Sequence, residues 1–366
     1  MLVLSRLRPR AALSAVFAVL LGAACSSPVP AQAPALSARL EVANVEADHS
    51  QAQVRFTLEN EGRSRVRFLK WGTPLEGFRS QVFEVTCSGR AAAYHGPTVK
   101  RGEPGPNDYL EIGGGQALSA TLDLASVYDL PAGDCVVSYD GVILDVVSGE
   151  TVLRAGRMSG SPVTLRVNPV TLPAQGSGGS KKLLGLTYTG CSVGQQAALA
   201  TAVPAGGGLA TAAQSYLDNV PVPSRPNDTR YRTWFGTYDA TRYGTVSGRY
   251  GQIAAAAAGN LTLNCTGAGQ CGGQPVTCDP GDFAFTCAGG ASQTIWLCSG
   301  FFAAPATGYN SQAGTIVHEL SHWYGTRDNA YGCRNCQSLA SSDPVQAVAN
   351  ADNCEYMAEN FGLVCP

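Results

Sequence analysis

The run His318-Glu319-Leu320-Ser321-His322 holds two of the four histidines in a chain of 366 residues. Residues four apart on a helix share a face, so both imidazoles can ligate one metal ion. The carboxylate beside the first can take a proton from a water held at that metal. These residue types at this spacing fit zinc-assisted hydrolysis. A catalytic zinc takes three protein ligands and leaves a fourth position open, and Asp328, six residues past His322, is the candidate for the third. Thr315-Ile316-Val317, just ahead of the motif, suits a buried helix. Cys333-Arg334-Asn335-Cys336 is a CxxC with redox and metal readings of its own. No second CxxC accompanies it, and eight other cysteines share that half of the chain, so structural disulfides are the expectation.

The motif continues as Gly325-Thr326-Arg327-Asp328-Asn329-Ala330-Tyr331-Gly332. HExxH followed by GTxDxxYG resembles the aspzincin metallopeptidases, the family of deuterolysin and the peptidyl-Lys metalloendopeptidases. The resemblance implies one catalytic zinc on His318, His322 and Asp328, with Glu319 as general base and Tyr331 stabilising the oxyanion. Thr187-Tyr188-Thr189-Gly190-Cys191, Tyr231 to Gly236, Asp239 to Arg242 and Ser311 to Thr315 extend it. Asn350-Ala351-Asp352-Asn353-Cys354-Glu355-Tyr356 resembles the peptidyl-Lys branch in particular. There an Asp and a Glu form an acidic pocket for the lysine on the leaving-group side, and they map to Asp352 and Glu355. A carboxylate pair out of water attracts an ammonium and rejects apolar side chains. The family's two disulfides carry over to Cys191–Cys265 and Cys278–Cys298. The loop to Asp328 departs from the peptidyl-Lys pattern by being shorter, which gives H-E-x-x-H-x-x-G-x-x-D, the metzincin spacing. That alternative needs a Met-turn, and Met357 lies in the helical stretch Glu355–Glu359, where core packing is its expected role. Asp328 is the third ligand under either family.

Two kinds of element must position these residues. From Leu40 to Val167, apolar residues alternate with polar ones, as in Val54, Phe56 and Leu58, and turn material separates the runs. This predicts an all-β, immunoglobulin-like sandwich over residues 36–168, in which Cys87 pairs with Cys135. Pro173 to Lys182 is small, polar and flexible in composition, so 169–182 reads as a linker and processing region. Residues 183–366 read as a mainly helical α+β domain of the zincin type. Helices are expected at Gln195 to Asn219 with a break at Pro204 to Gly208, at Thr241 to Ala258, and from the cap Ser311 onward. Asp343-Pro344 and Asn353 to Asn360 start two more, and Ile295-Trp296-Leu297 is a strand. Leu69-Lys70-Trp71-Gly72-Thr73-Pro74 and Tyr94-His95-Gly96-Pro97 resemble propeptide segments of the same peptidases. His95 reads as a turn histidine rather than a ligand that blocks the zinc.

Net charge is −2 and charged residues make up 14%, so no nucleic-acid partner is indicated. Arg6, Arg8 and Arg10 precede a short apolar stretch, Ala11 to Ala24, which suits a signal peptide over residues 1–25 and is too short for a membrane span. Cleavage leads either to an ordinary secreted chain or to lipid attachment at Cys25. Setting Cys25 aside leaves twelve cysteines, an even number suited to disulfides. The expected protein is a secreted, monomeric zinc endopeptidase acting on protein substrates before lysine and made as a zymogen. The alternatives are a broader deuterolysin-like neutral protease and a non-catalytic, zinc-holding surface-binding protein.

Overall fold

The computed structural model describes residues 36–43, 52–148, 151–167, 185–290, 292–360 and 365. The leader with Cys25 and the linker with Lys181 and Lys182 lie outside them. Among the described residues no helix is long and apolar enough to cross a membrane.

The N-terminal region is β-rich, and its strands pair antiparallel. Leu36–Val42, Gln53–Asn60 and Ala117–Asp123 form one sheet. Thr151–Ser159, Asp140–Ser148, Val66–Leu69 and Tyr109–Ile112 form a second. Val163–Val167, Gly133–Ser138, Glu84–Cys87 and Arg90–Ala91 form a third. The alternation read in the sequence sends Val54, Phe56 and Leu58 into one apolar core with Phe68, Phe83 and Tyr139.

The C-terminal region is helix-rich around a five-stranded sheet, ordered Leu186–Thr189, Leu261–Asn264, Thr294–Leu297, Asp282–Cys287 and Pro97–Arg101. The first two pairings are parallel and the last two antiparallel. The outermost strand is therefore a loan from the N-terminal region. Its five residues are all buried, Lys100 and Arg101 included.

The helix Val193–Asn219 runs unbroken through Pro204, against the predicted interruption at Pro204 to Gly208. Tertiary packing outweighs local propensity here. Leu199, Val203, Ala210 and Leu217 are buried along it. Gly206 lies so close to the next helix that a Cβ there would stand 2.9 Å from the Ala313 carbonyl oxygen. That next helix, Gln312–His322, carries the histidines and is buried on every side from Ala313 on. Ser311 caps it, its Oγ accepting from the Gly314 N–H at 2.9 Å. Gly314 leaves room for the final helix Ala351–Glu359: a Cβ would fall 2.0 Å from Glu359 Oε1.

Cys87–Cys135, Cys191–Cys265 and Cys278–Cys298 pair as expected, and Cys271–Cys287 and Cys333–Cys365 join them. The expectation of twelve paired cysteines is corrected, because Cys336 and Cys354 are free thiols. Both are buried in the helical core, where they pack as small apolar residues. The CxxC is thereby split between a disulfide and a core thiol.

Candidate active site

His318 and His322 stand one turn apart, with ring centroids separated by 4.8 Å. Asp328 reaches them from the following loop, placing Oδ1 at 3.2 Å from His318 Nε2 and 3.4 Å from His322 Nε2. All three residues are buried, and none of these three atoms makes a hydrogen bond. Buried polar atoms are almost always partnered, so three unpartnered donor atoms converging on one point fit a metal ion with N and O ligands. The His322 Nδ1–H faces the Thr326 carbonyl at 3.2 Å, which leaves Nε2 free to ligate. Burial pushes the pKa of His322 down to about 4, so the ring is neutral, as a ligand must be.

Asn350 holds the loop that delivers Asp328. Its Oδ1 accepts from the Asn329 and Ala330 N–H groups at 2.8 and 3.0 Å, and its Nδ2 donates to the Ala330 carbonyl at 2.9 Å. Arg327 and Ala351 add two backbone hydrogen bonds to the same clasp. Glu319 is wholly buried, and neither of its carboxylate oxygens has a hydrogen-bond partner. Burial raises its pKa to about 8, and the nearby His318 only partly offsets this.

Asp352 and Glu355 are buried rather than solvated. Both face His318 Nδ1, at 2.9 and 3.3 Å. Between them lies the ammonium of Lys100, 2.9 Å from Asp352 Oδ1 and 2.8 Å from Glu355 Oε2. Burial opposes that charge, yet the two carboxylates outweigh it and hold the ammonium protonated above the usual lysine range. The residue before Lys100 completes the contact. The Val99 N–H donates to Asp328 Oδ2 at 3.1 Å, and the Val99 carbonyl accepts from the Tyr331 hydroxyl at 3.2 Å. Trp71 packs edge-on against the Tyr331 ring with centroids 5.2 Å apart. Glu76, from the same loop, pairs with Arg101 at 3.0 Å. His95 pairs with the exposed Asp129 at 2.8 Å.

A family model described as lysine-specific metallo-endopeptidase matches residues 223–359. An extracellular protease of Aeromonas hydrophila is 33% identical over 361 residues, which is 94% of this chain and 96% of that protein. The chain belongs to the aspzincin metallopeptidases. The peptidyl-Lys metalloendopeptidase of Grifola frondosa is 32% identical over 280 residues, 72% of this aspzincin and 73% of the relative. A solved zinc peptidase from Grifola frondosa is 38% identical, spans 46% of this chain and 97% of its own, and superposes with a TM-score of 0.41. These relatives place the aspzincin in the peptidyl-Lys branch and make it a zinc metalloendopeptidase.

The structure brings together every site residue expected from the sequence of this aspzincin. Sequence reasoning missed three things. Asn350 is a polar residue near a helix start with no local mark of its loop contacts. Val99 and Lys100 lie more than two hundred residues from the partners they meet. Asn310 precedes the helix cap, and its one local signal is that Asn tolerates the positive φ of 49° it adopts.

Proposed function

We propose that this is the latent form of a secreted zinc endopeptidase that cuts on the N-terminal side of lysine. One observation carries the reading: Lys100 fills the Asp352–Glu355 pocket while the carbonyl just before it meets Tyr331. A substrate bound for cleavage before lysine would present the same pair of features. Residues 36–168 then act as a prodomain of β-sandwich, immunoglobulin-like build, 169–182 as the processing linker and 183–366 as the peptidase. The likeness to immunoglobulin domains rests on the strands alone, since Cys87–Cys135 joins neighbouring strands of one sheet. Export would remove residues 1–25, and a cut before Lys181 or Lys182 would free the enzyme.

In this reading His318, His322 and Asp328 hold one zinc ion, which when bound supplies Lewis acidity and a nucleophile at neutral pH. Glu319, buried beside His318 with both carboxylate oxygens unpartnered, takes a proton from the attacking water and hands it to the leaving amine. Burial keeps the Tyr331 phenol protonated, so it donates to the carbonyl oxygen as negative charge builds there. Asp352 and Glu355 seize the lysine ammonium and, through His318 Nδ1, fix the tautomer of a metal ligand.

Mass spectrometry of an unfolded protein digested by the secreted enzyme tests the reading. New N-termini that are nearly all lysine support it. Mixed termini point to a broad neutral protease in which Asp352 and Glu355 are structural, and an intact substrate points to a non-catalytic zinc holder. N-terminal sequencing of the secreted form locates the processing site, and a start far from Lys181 and Lys182 refutes self-release there.

A further inference from the structure

The Lys100 ammonium has three N–H donors and meets three acceptors. Two are the carboxylates of Asp352 and Glu355, and the third is Asn310 Oδ1 at 3.0 Å. The Lys100 side chain is 0% exposed. Asn310 is held for this role with care. Its backbone sits in the left-handed region at φ 49°, and its N–H donates to Glu359 Oε2 at 3.2 Å. The next residue, Ser311, donates to Glu359 Oε1 from both its backbone and its hydroxyl, at 2.9 and 2.7 Å. Residues kept in sparsely populated backbone regions cluster at functional sites, where the surroundings over-determine them. The Tyr356 hydroxyl stands 3.0 Å from both Asn310 Oδ1 and Asp352 Oδ2, closing the ring of polar groups.

Resting on the lysine reading above, we infer that Asn310 is the residue that makes this pocket accept an ammonium and refuse a guanidinium. Three acceptors converging on one point saturate the three donors of a compact ammonium. A guanidinium is planar, carries five donors in a fixed fork and spreads them over a wider area. In a dry pocket of this shape it leaves donors unmet, which is how polar sites reject near-analogues.

An independent feature of the sequence fits the same discrimination. The chain has four lysines, Lys70, Lys100, Lys181 and Lys182, and none from residue 183 to 366. That stretch nevertheless carries seven arginines. An enzyme that cuts only before lysine finds no site in its own catalytic region. One that also accepted arginine would find seven. Refusal of arginine therefore protects each active copy from every other.

The test uses the zinc enzyme activated from the full-length secreted chain and two peptides that differ only in lysine or arginine after the cut. Asn310→Gly removes the third acceptor yet suits the positive φ and keeps the backbone contacts to Glu359; Asn310→Asp retains an oxygen in place. Asn310→Gly is expected to lose about 10- to 100-fold in kcat/KM on the lysine peptide, the scale of one hydrogen bond to a charged group. The preference for lysine over arginine narrows with it, and Asn310→Asp restores most of it. An Asn310→Gly enzyme with the wild-type lysine-to-arginine ratio overturns the inference. In a second arm, the reduced, alkylated and unfolded Glu319→Gln chain serves as substrate. Wild-type enzyme should cut it only before lysines and leave the region after Lys182 whole, whereas cuts before its arginines overturn the inference. A wild-type enzyme with no preference for lysine defeats the lysine reading itself, an outcome distinct from an unchanged ratio in Asn310→Gly.

Discussion

The β-rich and helix-rich regions bury opposite charges where they meet. Among the described residues, the buried ion pairs joining them run one way: Lys100, Arg79 and Arg101 come from the first, and Asp352, Glu355 and Asp282 from the second. Within the β-rich region Arg39–Glu41 and Arg65–Glu111 lie on the surface, while Glu76–Arg101 is buried beside the junction. Exposed pairs such as the first two contribute at most about 1 kcal/mol. A buried pair behaves differently. Its net contribution to stability is modest, but removing one partner strands the other and costs about 3–5 kcal/mol. The contrast separates decoration from dependence, since the buried carboxylates of Asp352 and Glu355 need the cation that Lys100 supplies.

Four experiments break or sharpen that contrast. The largest effect belongs to Glu319→Gln, which lies in the helical region alone. It should keep zinc by elemental analysis and lose about 10²- to 10⁴-fold in turnover, the usual range for a positioned acid–base group. Retention of most activity would end the assignment. Tyr331→Phe comes next, with about a 10²-fold fall in kcat and little change in KM, read in steady-state kinetics on a lysine peptide. Lys100→Ala attacks the interface from the β-rich side. It should cost about 3–5 kcal/mol in denaturant unfolding of the intact chain and give measurable activity before any processing, whereas Arg39→Ala should shift stability by less than about 0.5 kcal/mol. Equal effects of those two substitutions would erase the contrast.

The smallest effect concerns pH. Burial, reinforced by Glu355, raises Glu359 to about 8 from an ordinary 4.5, so folding favours its protonated form. The stability it contributes is complete below about 4.5 and is lost as pH rises through 8. Glu359→Gln, which stays neutral, should lose less melting temperature than the parent between pH 5 and pH 9.

Local signals carried much of this. The HELSH run, its Ser311 cap and the loop to Asp328 are legible because helix periodicity and ligand chemistry both act over a few residues. The Val54, Phe56 and Leu58 alternation is legible for the same reason. Pro204 misled because the packing that sustains its helix comes from the Gly206 contact with Ala313, which no local pattern records. Cysteine parity failed because burial, rather than oxidation, accounts for Cys336 and Cys354. The hardest feature to read was Pro97–Arg101. A strand with five consecutive buried residues, two of them cationic, breaks the alternation rule and makes sense only beside Asp282–Cys287 and the acidic pocket.

The borrowed strand also bears on what shape of polypeptide this enzyme can attack. Under the proposed activation Pro97–Arg101 would leave, and Asp282–Cys287 would become an open sheet edge with unpaired backbone donors and acceptors. An incoming chain replaces those bonds only by lying extended against the edge for several residues. A segment held in a stable helix cannot do so without first unwinding. The rate on a native protein is then governed by how often its own fold lets a segment come loose.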